Sequence, residues 1–139
     1  MTGKPGMHDY AIEQMNRLLT TLAYQVHRAA KRPGSNEIHD LRVGARRFLQ
    51  GLELFEDFFP GWEVKKIRRM LKRVMRVTSA IRDRDIALDF LAEAGRAAER
   101  PRVEKERLAY QRQFSEMLRR WGARDFSSKW RNDLSLRGL

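Results

Sequence analysis

His39-Asp40-Leu41-Arg42-Val43-Gly44-Ala45-Arg46-Arg47 opens, and Arg82-Asp83-Arg84-Asp85 closes, the stretch whose reading decides the fold. Within it Leu41, Ala45, Phe48, Leu52 and Phe55 recur at helical spacing and lie on one side, leaving His39, Arg42 and Arg46 on the other. Steps of three and then four residues are about one turn each, so these three side chains form a column that offers several cationic donors to one ligand. Gly44 and Gly51 lie on a flank, where the missing side chains let a neighbouring helix or a ligand come close. Pro60-Gly61 breaks the chain, and a third helix begins near Trp62 with the apolar stripe Ile67, Met70, Leu71, Val74, Val77 and Ile81. Lys65, Arg69, Lys72, Arg73 and Arg76 cluster roughly opposite that stripe. From Val64 to Arg82 the chain also holds Lys66 and Arg68, and no acidic residue.

Outward from this centre the rest of the chain reads as helix too. Residues 1–7 hold two glycines and a proline and are expected to be a loose end. From about Asp9 a first helix carries Ile12, Met15, Leu19, Leu22 and Val26 until Arg32-Pro33-Gly34-Ser35-Asn36 stops it, with Ser35 or Asn36 available to cap the second helix. Asp83 is expected to cap a shorter fourth helix carrying Ile86, Phe90, Leu91 and Ala94, with Asp85 in its first turn favouring the helix dipole. Arg100-Pro101 then starts a fifth helix with Val103, Tyr110, Phe114, Met117, Leu118 and Trp121. Gly122 ends it, and Asp125 is placed to cap a last helix with Phe126, Trp130 and Leu134. No alternating strand pattern of useful length occurs. The expected architecture is all-α, a bundle of five to six helices forming one domain over 8–135, with 136–139 as a tail.

Composition narrows the function. A chain of 139 residues closes one hydrophobic core but not two. No apolar run approaches the roughly 18 residues that span a bilayer, and the N-terminus lacks the basic-then-apolar order of a signal peptide. A soluble, cytoplasmic protein with no membrane insertion is the expectation. The absence of cysteine removes disulfides, thiolate zinc sites and cysteine nucleophiles together. A formal net charge of +11 is relieved by binding a polyanion, and nucleic acid, an anionic membrane or an inorganic phosphate polymer all qualify.

A basic helix face is commonly just a solvated face. Solvated faces mix their signs, however, because like charges three or four residues apart cost a few tenths of a kcal/mol each. The third helix accepts that repulsion repeatedly. Arginine also dominates both clusters, and a guanidinium offers a planar fork to phosphate oxygens, so the pattern favours phosphate recognition. His39 has only His8 and His27 for company, at no zinc-like spacing, and its readings are a donor to phosphate, an orienting partner for Arg42 or an aspartate, or a plain surface histidine. His39-Asp40 is weak as a metal-phosphohydrolase pair without further histidines. No carboxylate pair, serine-histidine set or glycine-rich phosphate loop is in place, so a binding protein rather than an enzyme is expected, with no cofactor. In Arg82-Asp83-Arg84-Asp85 an aspartate can also lock an arginine and aim it at a ligand.

The order His39-Asp40-Leu41-Arg42-Val43, then Arg46-Arg47, a basic third helix and Arg82-Asp83-Arg84-Asp85-Ile86 resembles the CHAD domain, the conserved histidine α-helical domain. The likeness is clearest over 39–91. It implies a helical bundle that binds inorganic polyphosphate along a basic surface or channel, associated in some members with polyphosphate granules. By position it assigns His39, Arg42, Arg46 and Arg47 to the histidine-arginine helix, Lys65, Lys66, Arg69, Lys72, Arg73 and Arg76 to the basic helix, and Arg82 with Asp83 as its orienting partner to the arginine-aspartate turn. Domains of this kind are usually about twice as long, with two related halves, whereas this chain shows one histidine-arginine helix. Either a single half suffices or two chains pair to rebuild the whole, and the homodimer is the expectation. The competing classes are a nucleic-acid-binding protein, against which stands the lack of a base-reading helix or stacking platform, and an enzyme, or an enzyme's accessory domain, acting on phosphate polymers with Asp83 or Asp85 at a divalent metal.

Overall fold

A computed structural model describes residues 6–123 and 125–136 of the chain. Five α-helices account for most of them: α1 (Met7–Lys31), α2 (Ser35–Phe55), α3 (Gly61–Glu93), α4 (Arg100–Trp121) and α5 (Phe126–Asp133), with single 3-10 turns at Glu56–Phe58 and Ala97–Glu99. No strand occurs among the described residues. Of the expected loose end and tail, residues 1–5 and 137–139 lie outside them.

The apolar stripes account for the packing. Met15, Leu19, Leu22 and Val26 of α1, Leu41, Ala45, Phe48 and Leu52 of α2, and Ile67, Leu71, Val74 and Ile81 of α3 are all essentially inaccessible to water. Each of the larger side chains among them contributes about 1.5–3 kcal/mol on burial, which outweighs a typical single surface interaction. The stripes bring α1 onto α2, α2 onto α3 and α3 onto α4, while α5 folds back against α1. Gly44 and Gly51 give their close approach to α1. A methyl group at Gly44 would collide with the Gln25 side chain, and one at Gly51 would stand 2.7 Å from Met15 Sδ and 2.8 Å from Leu18 Cδ1. Gly122, at φ 65°, takes the left-handed turn that ends α4. Beyond it Phe126 and Trp130 pack against Trp121, with Phe126–Trp130 ring centroids 4.9 Å apart and Trp121–Trp130 centroids 5.3 Å apart. Trp130 also reaches Phe48 of α2 at 5.7 Å, which closes one end of the core.

The main departure from the sequence reading lies at Arg82-Asp83-Arg84-Asp85. α3 runs unbroken through it for 33 residues, about 50 Å. Asp83 therefore caps no helix, and Asp85 sits in mid-helix rather than in a first turn. Alternating charge does not interrupt a backbone, and neither glycine nor proline occurs between Gly61 and Gly95. Of the residues assigned to the separate fourth helix only Leu91 is buried; Ile86 and Phe90 are 59% and 67% exposed. Two caps also differ. Gly34, extended after Pro33, is the N-cap of α2 in place of Ser35 or Asn36, and no side chain bonds the first turn. Asp125 does occupy the N-cap of α5, but its backbone is helical rather than extended, and its carboxylate makes no cap bond. Met7 is already helical. Leu136 is buried and its carbonyl accepts a 3.0 Å hydrogen bond from Asn16 Nδ2, so the folded unit reaches past 135.

Candidate anion-binding site

The column on α2 meets α3 through Arg42. Its Nη1 donates to the Met75 carbonyl at 2.6 Å and to Thr78 Oγ1 at 2.8 Å, which pins α2 to α3 at mid-height. The rest of its guanidinium has no hydrogen-bond partner among the described residues. Burial lowers the pKa of Arg42 from the ordinary arginine value, the neighbouring charges of Arg46 and Arg82 lower it further, and Asp83 partly offsets them. Arg42, Arg46, Arg82 and Asp83 thus share one electrostatic neighbourhood with a surplus of positive charge. His39 is exposed one turn before Arg42.

From Arg42 the basic surface continues towards the start of α3. Arg46, Gln50 and Glu53 of α2, Glu56 of the following turn, and Arg68 and Lys72 of α3 line an open groove of about 390 Å3. Arg68 Nη2 donates to Glu56 Oε2 at 2.9 Å, which leaves Arg46 and Lys72 as its unpaired cations among the described residues. Over the crest of α3, a shallower depression of about 300 Å3 is lined by Lys65, Arg68, Arg69 and Lys72. Arg76 is exposed one turn beyond Lys72 on the same crest.

Three expected site residues stand apart from this surface. Arg47 is exposed but lies ~140° round α2 from Arg42, on the side where Gly44 and Gly51 meet α1. Lys66 is half-buried and turned to α5, close enough to Lys129 to influence its titration; Lys129 is held charged chiefly by its bond to Asp133. Arg73 faces α4 and lines a separate groove with Met70, Val77, Met117, Arg120 and Trp121. Conversely, Arg68 belongs to the first groove although the stripe opposite the core left it out. Its position one turn before Lys72 was the available signal.

The two Arg-Asp pairs have different fates. Arg82 and Asp83 turn to the Arg42 side, where Asp83 acts through its charge and makes no hydrogen bond to an arginine among the described residues. Arg84 and Asp85 face α4. Arg84 Nε donates to Glu106 Oε1 at 3.3 Å while its guanidinium lies 4.9 Å from the Tyr110 ring centroid. Arg107 Nε donates to Asp85 Oδ1 at 2.6 Å, and its Nη2 reaches the Pro33 carbonyl at 3.3 Å, so one side chain joins α4, α3 and the α1–α2 connection. Within Arg82-Asp83-Arg84-Asp85, the aspartate that accepts a hydrogen bond from an arginine among the described residues is Asp85. Asp40 is likewise engaged, accepting from Arg28 Nη1 of α1 at 3.1 Å. Among the described residues no three His, Asp or Glu side chains gather where they could hold a metal ion, and no helix is long and apolar enough to cross a membrane.

The arrangement can grip an extended anion at several points, with guanidinium forks and ammonium groups on two adjoining helices. A family model, that of the CHAD domain, matches residues 13–137. No curated protein and no solved structure matches the chain.

Proposed function

Because the chain belongs to the CHAD domain family, we propose that it captures inorganic polyphosphate on the surface shared by α2 and α3. The carrying observation is the unbalanced charge around Arg42, where Arg46 and Arg82 repel a guanidinium already held by α3. A bound polyanion relieves that repulsion. Polyphosphate is charged at every unit, so successive units run past Arg82, Arg42 and Arg46 into the groove with Lys72, then over Lys65 and Arg69. Each neutralised phosphate releases condensed counterions, by analogy with nucleic acid, and affinity falls steeply with salt. The role is binding rather than catalysis and needs no cofactor.

Two further parts of this reading concern context. A single histidine-arginine helix is half of what such domains usually contain, so two chains pair about a twofold axis with their basic faces adjoining. Light scattering that finds only monomer at micromolar concentration, with and without polyphosphate, removes this pairing. A cytoplasmic location on polyphosphate granules goes with the ligand, and a fluorescent fusion that stays diffuse in granule-bearing cells speaks against it.

The deciding test is competition. Fluorescent polyphosphate bound to the purified protein is challenged with long polyphosphate, duplex DNA and RNA across a salt series. The expected result is that polyphosphate displaces the probe far better at matched charge concentration. Equal or better competition by nucleic acid replaces polyphosphate as the ligand.

A further inference from the structure

The second groove of α3, between its α4-facing side and α4, differs in kind from the first. It is open, about 550 Å3, within the range that holds small organic ligands. Its floor is apolar, made by Met70 and Val77 of α3 with Met117 and Trp121 of α4. The methionines give an adaptable, polarisable surface, whereas the indole of Trp121 is held in place by Phe126 and Trp130 at centroid distances of 5.5 and 5.3 Å. Two guanidinium groups flank the floor, Arg73 from α3 and Arg120 from α4. Glu116 stands beside Arg120 and is kept ionised first by its bond to Arg119, with Arg120 adding to the effect. Gln113, also on the rim, carries both donor and acceptor on one amide.

An apolar floor that includes an indole and two methionines, set between two cations, fits a ligand that joins an aromatic ring to an anionic tail. A purely inorganic polyanion would leave Met70, Met117 and Trp121 without use, and a lipid would find a floor only four side chains wide. The route of the tail is also set. Arg73 is one turn from both Arg69 and Arg76, so phosphates that leave the groove over Arg73 pass onto the exposed crest of α3. We infer that this groove binds a nucleoside polyphosphate, its base on Met117 and Trp121, its edge read by Gln113, its first phosphates between Arg73 and Arg120 and the remainder on Arg69 and Arg76. Glu116 orients Arg120 and is within the groove to accept from ribose hydroxyls. The inference rests on the proposed polyphosphate reading for its phosphate track, and on the groove alone for its base.

The test compares ligands of like charge. Calorimetric titration of the full chain with adenosine triphosphate and with inorganic tripolyphosphate, at matched ionic strength and without divalent cation, is expected to show the nucleotide binding at least about tenfold tighter, the contribution of one stacked base. Arg120→Ala and Met117→Glu are each expected to weaken the nucleotide about fivefold or more while long polyphosphate binds within about twofold of the parent protein. Equal affinity for the nucleotide and tripolyphosphate overturns the inference, as does a folded Arg120→Ala protein that binds the nucleotide unchanged. A parent protein that binds the nucleotide preferentially yet fails to retain long polyphosphate supports the groove and refutes the polyphosphate reading.

Discussion

Along the Arg84-Asp85 stretch of its seam with α4, the third helix meets charge with charge, whereas along its seam with α2 it sets cation beside cation. Arg84 has Glu106 and Tyr110, and Asp85 has Arg107, so this end of the α4 seam is electrically closed and half-buried, whereas Arg73 lies further along it in the separate groove. On the α2 seam Arg42, Arg46 and Arg82 gather with Asp83 as their nearby offset, and Lys72 adds to them across the groove. The residue types are the same, even to the repeated Arg-Asp pair. What differs is whether the bundle supplies the counter-charge itself or leaves it to be supplied from outside. A cation matched within the fold serves stability, and a cation left unmatched at a seam is available to a ligand.

The sharpest way to break this distinction is on the closed seam. Asp85→Ala leaves the half-buried Arg107 without its carboxylate partner and is expected to lower stability by about 2 kcal/mol, read as a reduced urea midpoint, with polyphosphate affinity of the folded protein unchanged. A matching loss of affinity would show that both seams serve the ligand. Next comes Arg42→Ala, the residue common to both roles. It is expected to cost about 1 kcal/mol of stability, since the bonds to Met75 and Thr78 are lost while local repulsion is relieved, and about 1 kcal/mol or more of binding. Urea denaturation and polyphosphate titration on the same protein separate the two.

Arg46→Ala combined with Lys72→Ala probes the open seam alone. Binding is expected to weaken about tenfold and the slope of log affinity against log salt to fall by about two, while stability stays within about 0.5 kcal/mol of the parent. A marked loss of stability would mean that these cations are structural after all. The smallest effect is expected from Arg47→Ala and Arg119→Ala, which lie away from the open seam; each should leave polyphosphate affinity within about twofold. Losses equal to those at Arg46 and Lys72 would point to attraction by total charge rather than by a shaped surface.

How much of this was legible in the chain depends on what kind of signal carried it. Helix boundaries marked by backbone chemistry, at Pro33-Gly34, Pro60-Gly61, Arg100-Pro101 and Gly122, fell within a few residues of their places. Asp83 misled because a capping residue type is not a break when helix-compatible residues follow and no glycine or proline intervenes. The apolar stripes identified the core of α1, α2 and α3 since burial there follows one period. The division of the basic residues was harder to see. Periodicity ranks residues as towards or away from the core, but it does not say which neighbour lies to the left and which to the right. Arg47, Lys66 and Arg73 are all polar-face residues, yet α1, α5 and α4 respectively claim their sides. Likewise nothing local to Arg42 reports that a carbonyl of α3 waits for it 33 residues away.

The hydrogen bond from Asn16 to the Leu136 carbonyl joins residues 120 positions apart. Most other helix contacts here form between consecutive segments, so α1–α2 and α3–α4 are local hairpins that close over short connections and assemble fast. Docking of α5 on α1 instead requires the longest loop in the molecule to be closed, and the entropy of that closure falls on a single small helix. The clasp is therefore the last contact expected to form and the first expected to part. Native-state hydrogen exchange should show the amides of α5 opening while those around the Arg42 bridge between α2 and α3 stay protected.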